Sequence, residues 1–179
     1  MVDMKETILI KGNSFEKIKK EINLNFGKKI IFTSNDDDLN RKVIEKLLID
    51  VLLINLEGRK DFQKQRNSGF NQVLAKICQK NKVKIGINLD EIINSSVGHR
   101  PVYPKEGRVP LRGLKLRNSG VKAEILARVR QNVKLCNKNK IDMVFVAEKH
   151  KRNIHDLKAF GLVLGMPTWM TKNLQTFFN

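Results

Sequence analysis

Three histidines and one run of carboxylates are the residues of this 179-residue chain with metal or acid–base chemistry in reach. A metal-dependent phosphoesterase needs several imidazole and carboxylate ligands converging on one point. His99, His150 and His155 do not supply them. No HxH pair occurs, and His150 and His155 are spaced so that a helix would put them on different faces. The densest carboxylate cluster is Asp36, Asp37 and Asp38 in SNDDD. As ligands these would hold Mg2+. As Asn and Asp ahead of a helical pattern at Leu39–Leu48, they are an N-cap and an acidic first turn facing the helix dipole, and we prefer that reading. No Ser–His–Asp or Cys–His arrangement can be assembled, and no Walker lysine follows a glycine-rich loop. The side chains point to binding rather than to catalysis, with no catalytic residue and no metal site assigned.

What they would bind is anionic. The chain carries 35 Lys+Arg against 18 Asp+Glu, a formal charge of +17, and a surface that basic calls for nucleic acid or an acidic membrane. The cations concentrate in three connectors. GRKDFQKQRNSG (Gly58–Gly69) holds Arg59, Lys60, Lys64 and Arg66 beside the single acid Asp61. The stretch Ser95–Lys122 holds Arg100, Lys105, Arg108, Arg112, Lys115, Arg117 and Lys122 against Glu106 alone, a net of 7 − 1 = +6. EKHKRN (Glu148–Asn153) adds Lys149, Lys151 and Arg152. The long stretch also contains three of the four prolines and the only tyrosine, Tyr103. Its Gly and Pro content argues against a packed helix, and loops of that length are usually functional or disordered. Basic residues with an occasional aromatic suit RNA, where phosphate contacts give affinity and a ring stacks on an unpaired base.

The elements that would position these connectors alternate. Strands are expected at Thr7–Ile10, Lys29–Thr33, Val51–Leu56, Val83–Asn88, Asp142–Ala147 and Gly161–Gly165. Helices are expected near Ser14–Asn23, Leu39–Leu48, Asn71–Asn81, Val121–Asn137 and His155–Phe160, with a last one after Pro167 up to Phe178. VLLINL is apolar on both faces apart from Asn55, as a strand covered on both sides should be. In the Val121–Asn137 segment, Val121, Ile125, Val129, Val133 and Cys136 form an apolar stripe, while Lys122, Arg128, Arg130, Lys134 and Lys138 read as a solvated surface. Strand–helix alternation with buried strands predicts an α/β fold of parallel βαβ units. Six units without a GxGxxG loop suit a TIM-barrel-like parallel barrel, incomplete against the usual eight, better than a Rossmann sheet. Residues 1–179 then form a single domain with a basic insertion at about 95–122. In a parallel sheet every loop after a strand emerges at one rim, so the three basic connectors would converge.

Cys78 and Cys136 sit in helix-like segments without metal or redox spacing and read as buried apolar residues in a reducing compartment. MVDMKETILIKG has no long apolar core, and Leu47–Leu56, the most apolar stretch, contains Asp50 and is too short to span a bilayer. An intracellular chain is expected.

GRKD (Gly58–Asp61), SGFNQVLAKI (Ser68–Ile77) and VKIGINLDEIIN (Val83–Asn94), followed by ILARVRQNVKLC (Ile125–Cys136) and NIHDLKAFGLVLGM (Asn153–Met166), resemble the component 3 protein of archaeal and eukaryotic ribonuclease P. The resemblance runs from about Val51 to Met166. It implies a barrel related to the polymerase-and-histidinol-phosphatase (PHP) metalloenzymes but without their metal ligands. It also implies that the RNA subunit, using Mg2+, removes the 5′ leader of precursor tRNA, while the protein binds no cofactor of its own. The implied partners are ribonuclease P RNA, precursor tRNA through the holoenzyme, a small RRM-like subunit and the other ribonuclease P proteins, with no membrane. The implied location is cytoplasmic for an archaeal-type protein and nuclear for a eukaryotic one. Arg59 and Lys60 would contact phosphates or pin their loop to the barrel mouth, with Asp61 orienting Arg59. Lys64, Arg66 and the cations of the other two connectors would extend the patch.

This sequence departs from the family pattern in four places. FQKQRN (Phe62–Asn67) intervenes after GRKD, Gln72 stands where His is common, Ile154 replaces the usual proline, and the N-terminal region is short while Ser95–Lys122 is inserted. Two alternatives remain: a PHP-like metal-dependent phosphoesterase using Asp36–Asp38 and the lone histidines, and a generic RNA-binding barrel.

Overall fold

A computed structural model describes residues 6–63, 66–95 and 117–178. The elements run β1 (Thr7–Lys11), α1 (Phe15–Leu24), β2 (Lys29–Ser34), α2 (Asp37–Lys46), β3 (Val51–Ile54), α3 (Gln72–Asn81), β4 (Lys84–Asn88), α4 (Leu89–Asn94), α5 (Arg117–Asn139), β5 (Met143–Ala147), α6 (Ile154–Leu164), α7 (Thr168–Lys172) and β6 (Gln175–Phe178). The strands pair in sequence order and all pairs are parallel. A dinucleotide-binding sheet reverses its strand order at a switch point. This one does not; it curls progressively into a half-barrel.

Alternation along each strand sorts the apolar residues between two cores. Phe32, Leu52, Ile54, Ile85, Met143 and Phe145 pack outward with the helices, where Val43, Leu74, Cys78, Ile125, Val129 and Cys136 meet them. The intervening residues Ile31, Val51, Leu53, Val144, Val146 and Phe177 form a second cluster containing strand residues only, on the concave face. Its tightness shows at Gly86, where an added Cβ would lie 3.0 Å from Leu53 Cδ1 and 3.3 Å from Leu53 Cα.

Two contacts measure the curl. Lys29 Nζ of β2 lies 5.3 Å from the ring centre of Phe177 in β6, and Lys11 Nζ, ending β1, bonds Glu148 Oε1 beyond β5 at 2.6 Å. Each pair joins strands four positions apart, about 19 Å in a flat sheet at ~4.8 Å per strand.

The early strands fall where the sequence places them, and the apolar stripe of α5 is buried from Ile125 to Cys136. The C-terminal end differs. GLVLG is not a strand; α6 continues through it to Leu164 and stops at Gly165, which caps the helix with φ +92. Leu157, Gly161 and Leu164 face inward at helical spacing, and Gly161 leaves room for Met166 Sδ, 3.0 Å from where its Cβ would stand. The sixth strand is QTFF, in the stretch read as helix, because α7 ends at Lys172. A short helix, α4, follows β4 directly, and α5 begins at Arg117, inside the stretch read as an unpacked insertion.

Candidate nucleic-acid interface

The rim at the C-terminal ends of the strands is assembled by short-range polar chemistry. Asp36 is the N-cap of α2, its carboxylate accepting from the Asp38 and Leu39 N–H groups. Asp37 receives the Arg59 guanidinium through two bonds of 2.9 and 2.8 Å, a bidentate fork. Arg59 Nε also donates to the Asn55 carbonyl, and Asn55 bonds Asn35 at 2.7 Å. The loop after β2 is thereby fastened to the loop after β3. Of the two roles open to Arg59, the geometry matches pinning: its side chain is 10% exposed and its donors face protein acceptors.

The same guanidinium dictates a glycine. Gly69 has φ +67, and a Cβ there would collide with the Arg59 guanidinium carbon. Gly69 therefore answers a left-handed backbone and a close approach together. Ser68 is buried and donates to the Phe70 carbonyl, and Asn67 Oδ1 accepts from the Gly69 N–H.

Asp61 does not orient Arg59, the partner expected for it. Its Oδ1 accepts from the Asn67 N–H and from Arg128 Nη2, both at 2.9 Å, while Arg66 stays 3.9 Å away. The Asn67 N–H and then the Arg128 guanidinium hold the Asp61 carboxyl below its ordinary pKa. Arg128 is not the solvated helix cation read from the sequence. It is 2% exposed and also donates to the Leu56 and Arg59 carbonyls, at 3.3 and 2.8 Å. A loop crowded with cations is held down by an arginine from a helix far along the chain. Gln72, where the resembled family commonly has His, bonds Asn139 at 2.8 Å and so joins α3 to α5.

The sequence reading also passed over Asp90 and Glu91. Asp90 accepts from the N–H groups of Glu148, Lys149 and His150, at 2.5, 3.1 and 3.0 Å. Glu91 Oε1 accepts from the N–H groups of Leu56 and Glu57, while its Oε2 is buried without a partner. Burial pushes the Glu91 carboxyl above its ordinary pKa. These adjacent acids of α4 tie the loops after β3 and β5 to the strand between them. The one available signal was the Asp–Glu pair opening a helix straight from a strand, which reads locally as a dipole complement.

An open cavity of about 510 Å3 lies inside this ring, lined by Asn35, Asn55, Asn88 and Asn94, with Glu57, Asp90, Glu91 and Glu148 opposed by Lys149. The mouth itself is amide and carboxylate. Five exposed cations ring it: Lys149 on its wall, Lys60 and Arg66 on the loop after β3, and Lys151 and Arg152 on the loop after β5. Lys64, Arg100, Arg108, Arg112 and Lys115 lie outside the described residues, and Arg117 is the first residue of α5. Two of the three basic connectors thus share the rim within the described residues.

His150 Nε2 lies 3.3 Å from Asn94 Oδ1, and His155 is exposed in the first turn of α6. Among the described residues no three or more His, Cys, Asp or Glu side chains converge as metal ligands. Nor is any described helix long and apolar enough to cross a membrane.

No protein-family model matches the chain, and no curated protein sequence matches it either. Among solved structures, the half-barrel is similar to a chain in a cryo-EM structure of archaeal ribonuclease P with mature tRNA. The TM-score is 0.67 at 24% identity, over 94% of this chain and 63% of that one. This chain thus spans less than two thirds of that chain's length, and the likeness is one of fold. A short-chain dehydrogenase/reductase from Brucella ovis aligns over 98% of this chain and all of its own at 12% identity, with a TM-score of 0.32. UDP-N-acetylglucosamine 4-epimerase from Bacillus cereus aligns over 97% of this chain and 77% of its own at 15% identity, with a TM-score of 0.34. Both scores are too low to define a shared fold.

Proposed function

We propose that this chain is a protein subunit of a ribonuclease P ribonucleoprotein, of the component 3 type, that binds the catalytic RNA and is not itself the catalyst. The observation that carries this reading is the overlay of the half-barrel on a chain of archaeal ribonuclease P, reached independently of the GRKD, SGFNQVLA and NLDEIIN resemblance in the sequence. On this reading the half-barrel is part of a TIM-barrel-like, PHP-related barrel, and residues 1–179 act as one domain. Its partners are ribonuclease P RNA, precursor tRNA through the assembled enzyme, a small RRM-like subunit and the other ribonuclease P proteins. Mg2+ serves the RNA, and the compartment is that of tRNA processing.

The arrangement of the rim supports an RNA role divided between two groups of residues. Arg59, Asp61, Asp90, Glu91 and Arg128 shape the loops. Lys60, Arg66, Lys149, Lys151 and Arg152, exposed on those loops, would contact phosphates, and Lys64, Arg100, Arg108, Arg112, Lys115 and Arg117 are proposed to add to the RNA contact. The carboxylates of the mouth repel phosphate, so RNA would run around the rim rather than into the cavity.

Reconstituted precursor-tRNA cleavage tests the proposal. Cleavage by the cognate RNA and proteins should fall when this chain is omitted and return when it is added. Unchanged cleavage without it, or turnover of a phosphoester by the metal-loaded protein alone, would overturn the reading.

A further inference from the structure

We propose that the opposite end of the half-barrel, where the strands begin, docks a protein segment in which carboxylates flank apolar side chains. Three connectors lie side by side there, because the strands they enter are neighbours: residues 25–28 before β2, 47–50 before β3, and 82–83 before β4. With the ends of the preceding helices they line an open cavity of about 550 Å3, whose walls include Lys19, Phe26, Lys28, Lys46, Leu48 and Lys82. Phe26 is 87% exposed and Leu48 82%, and Leu24, which ends α1, is 85% exposed. These are the three most exposed large apolar side chains among the described residues, and all three stand at this end. Single exposed apolar residues need no explanation; two on the wall of a cavity, with a third on the helix end that leads into it, mark an interaction surface.

The backbone that presents them is built. The Asn25 N–H bonds the Glu21 and Ile22 carbonyls, the Lys28 N–H bonds the Asn25 carbonyl, and Gly27 takes φ +93 at the turn. Beside β3, the Leu47 N–H bonds the Val43 carbonyl, and the Asp50 N–H bonds the Ile30 carbonyl. The exposure therefore belongs to fixed turns.

Charge complementarity selects the partner. Four lysines line the cavity against one acid, Asp50, whose carboxylate accepts from the Ile30 N–H at 2.8 Å. Among the described residues, Lys28 alone of the four forms an ion pair, with Glu6 at 3.0 Å. A lysine rim around apolar knobs matches carboxylates around apolar side chains. RNA fits less well. The cavity's cations are all lysines, and two of the three knobs are aliphatic, whereas unpaired bases stack on rings and guanidinium planes. A second copy related by a two-fold axis would set lysines against lysines. The surface is at the far end of the strands from the rim, so it leaves the proposed RNA-binding cations free.

Selection of a displayed random peptide library on the full chain tests this, followed by titration of the selected peptides. Two variants serve: Leu24→Asp with Leu48→Asp, and Lys19→Glu with Lys46→Glu. All four positions are exposed, and circular dichroism checks each fold. Selected peptides should carry Asp or Glu around Leu, Ile or Phe, lose roughly tenfold or more in affinity for either variant, and remain bound when RNA is added. Peptides without acidic residues, or peptides that bind both variants as they bind the wild type, would overturn the proposal. So would a single-stranded RNA whose binding falls with the leucine variant, or a dimer in sedimentation that the same variant dissolves.

Discussion

The guanidinium of Arg128, on α5, meets the carboxylate of Asp61 at 2.9 Å across 67 residues of sequence, with the Leu56 and Arg59 carbonyls on the same fork. Arg128 is 2% exposed, whereas the Asp61 side chain is 38% exposed. The two ends of the pair therefore differ in what their removal leaves behind. Arg128→Met strands two carbonyls and should cost about 2–4 kcal/mol in urea unfolding. Asp61→Asn keeps an oxygen for the Asn67 N–H and should cost less than half as much. Equal losses would show that the ion pair, rather than the carbonyl bonds, holds the loop.

Gly58 and Gly69 bracket that loop with nearly the same backbone, φ +70 and +67, but different surroundings. Nothing lies within 4 Å of a Cβ built on Gly58, while one built on Gly69 strikes Arg59. Gly58→Ala should cost about 1 kcal/mol, the left-handed penalty alone. Gly69→Ala should cost clearly more, and Arg59→Ala in the same chain should return part of the excess. A double-mutant cycle of unfolding free energies reads that coupling directly.

Two carboxylates give stability opposite dependence on pH. Asp61 titrates lower folded than unfolded, so its contribution is present above the unfolded pKa and is lost as pH falls through the folded one. Glu91 titrates higher when folded, so its contribution is present below the unfolded pKa and is lost as pH rises through the folded one. Glu91→Gln keeps an acceptor for the Leu56 and Glu57 N–H groups. Relative to wild type it should gain stability between about pH 4 and neutrality. The deficit of Asp61→Asn should instead vanish in acid. Thermal melts across that range check both signs.

Cys78 and Cys136 are fully buried in the outer core. Burial pushes the Cys78 thiol up to about 12 and raises that of Cys136 well above its ordinary value. Neither forms the reactive thiolate at neutral pH. Ellman's reagent should find no fast thiol in the native protein and two on unfolding, with the titration midpoint matching that of circular dichroism.

If the rim binds RNA, its residues separate by phenotype. Lys60→Ala with Arg66→Ala should weaken binding of ribonuclease P RNA roughly tenfold. The same pair should flatten the salt dependence by about 0.7 in log–log slope for each phosphate that is no longer neutralised. Arg59→Ala should show first as lost stability, because Asp37 and Asn55 already occupy its donors. Filter binding at matched salt, alongside melting, distinguishes the two effects.

The sequence by itself determined the strand–helix alternation from β1 to β5, the buried stripe of α5 and the N-cap at Asp36. Each depends on neighbours within a few residues: a buried parallel strand is a short apolar run, a packed helix repeats every three or four positions, and a cap bonds its own first turn. GLVLG failed the same test because a glycine-punctuated apolar run suits a strand or a buried helix alike. Its helix was decided by Asn153 at one end, Gly165 at the other and Met166 folding back on Gly161. Tertiary structure alone decided which charges are structural and which are free. Arg59, Arg128, Asp90 and Glu91 look no different in sequence from Lys60, Arg130, Asp156 and Glu16. Curling the sheet brings distant partners to the first group and leaves the second exposed to water, and a charge's partner across space leaves no periodic trace in the chain.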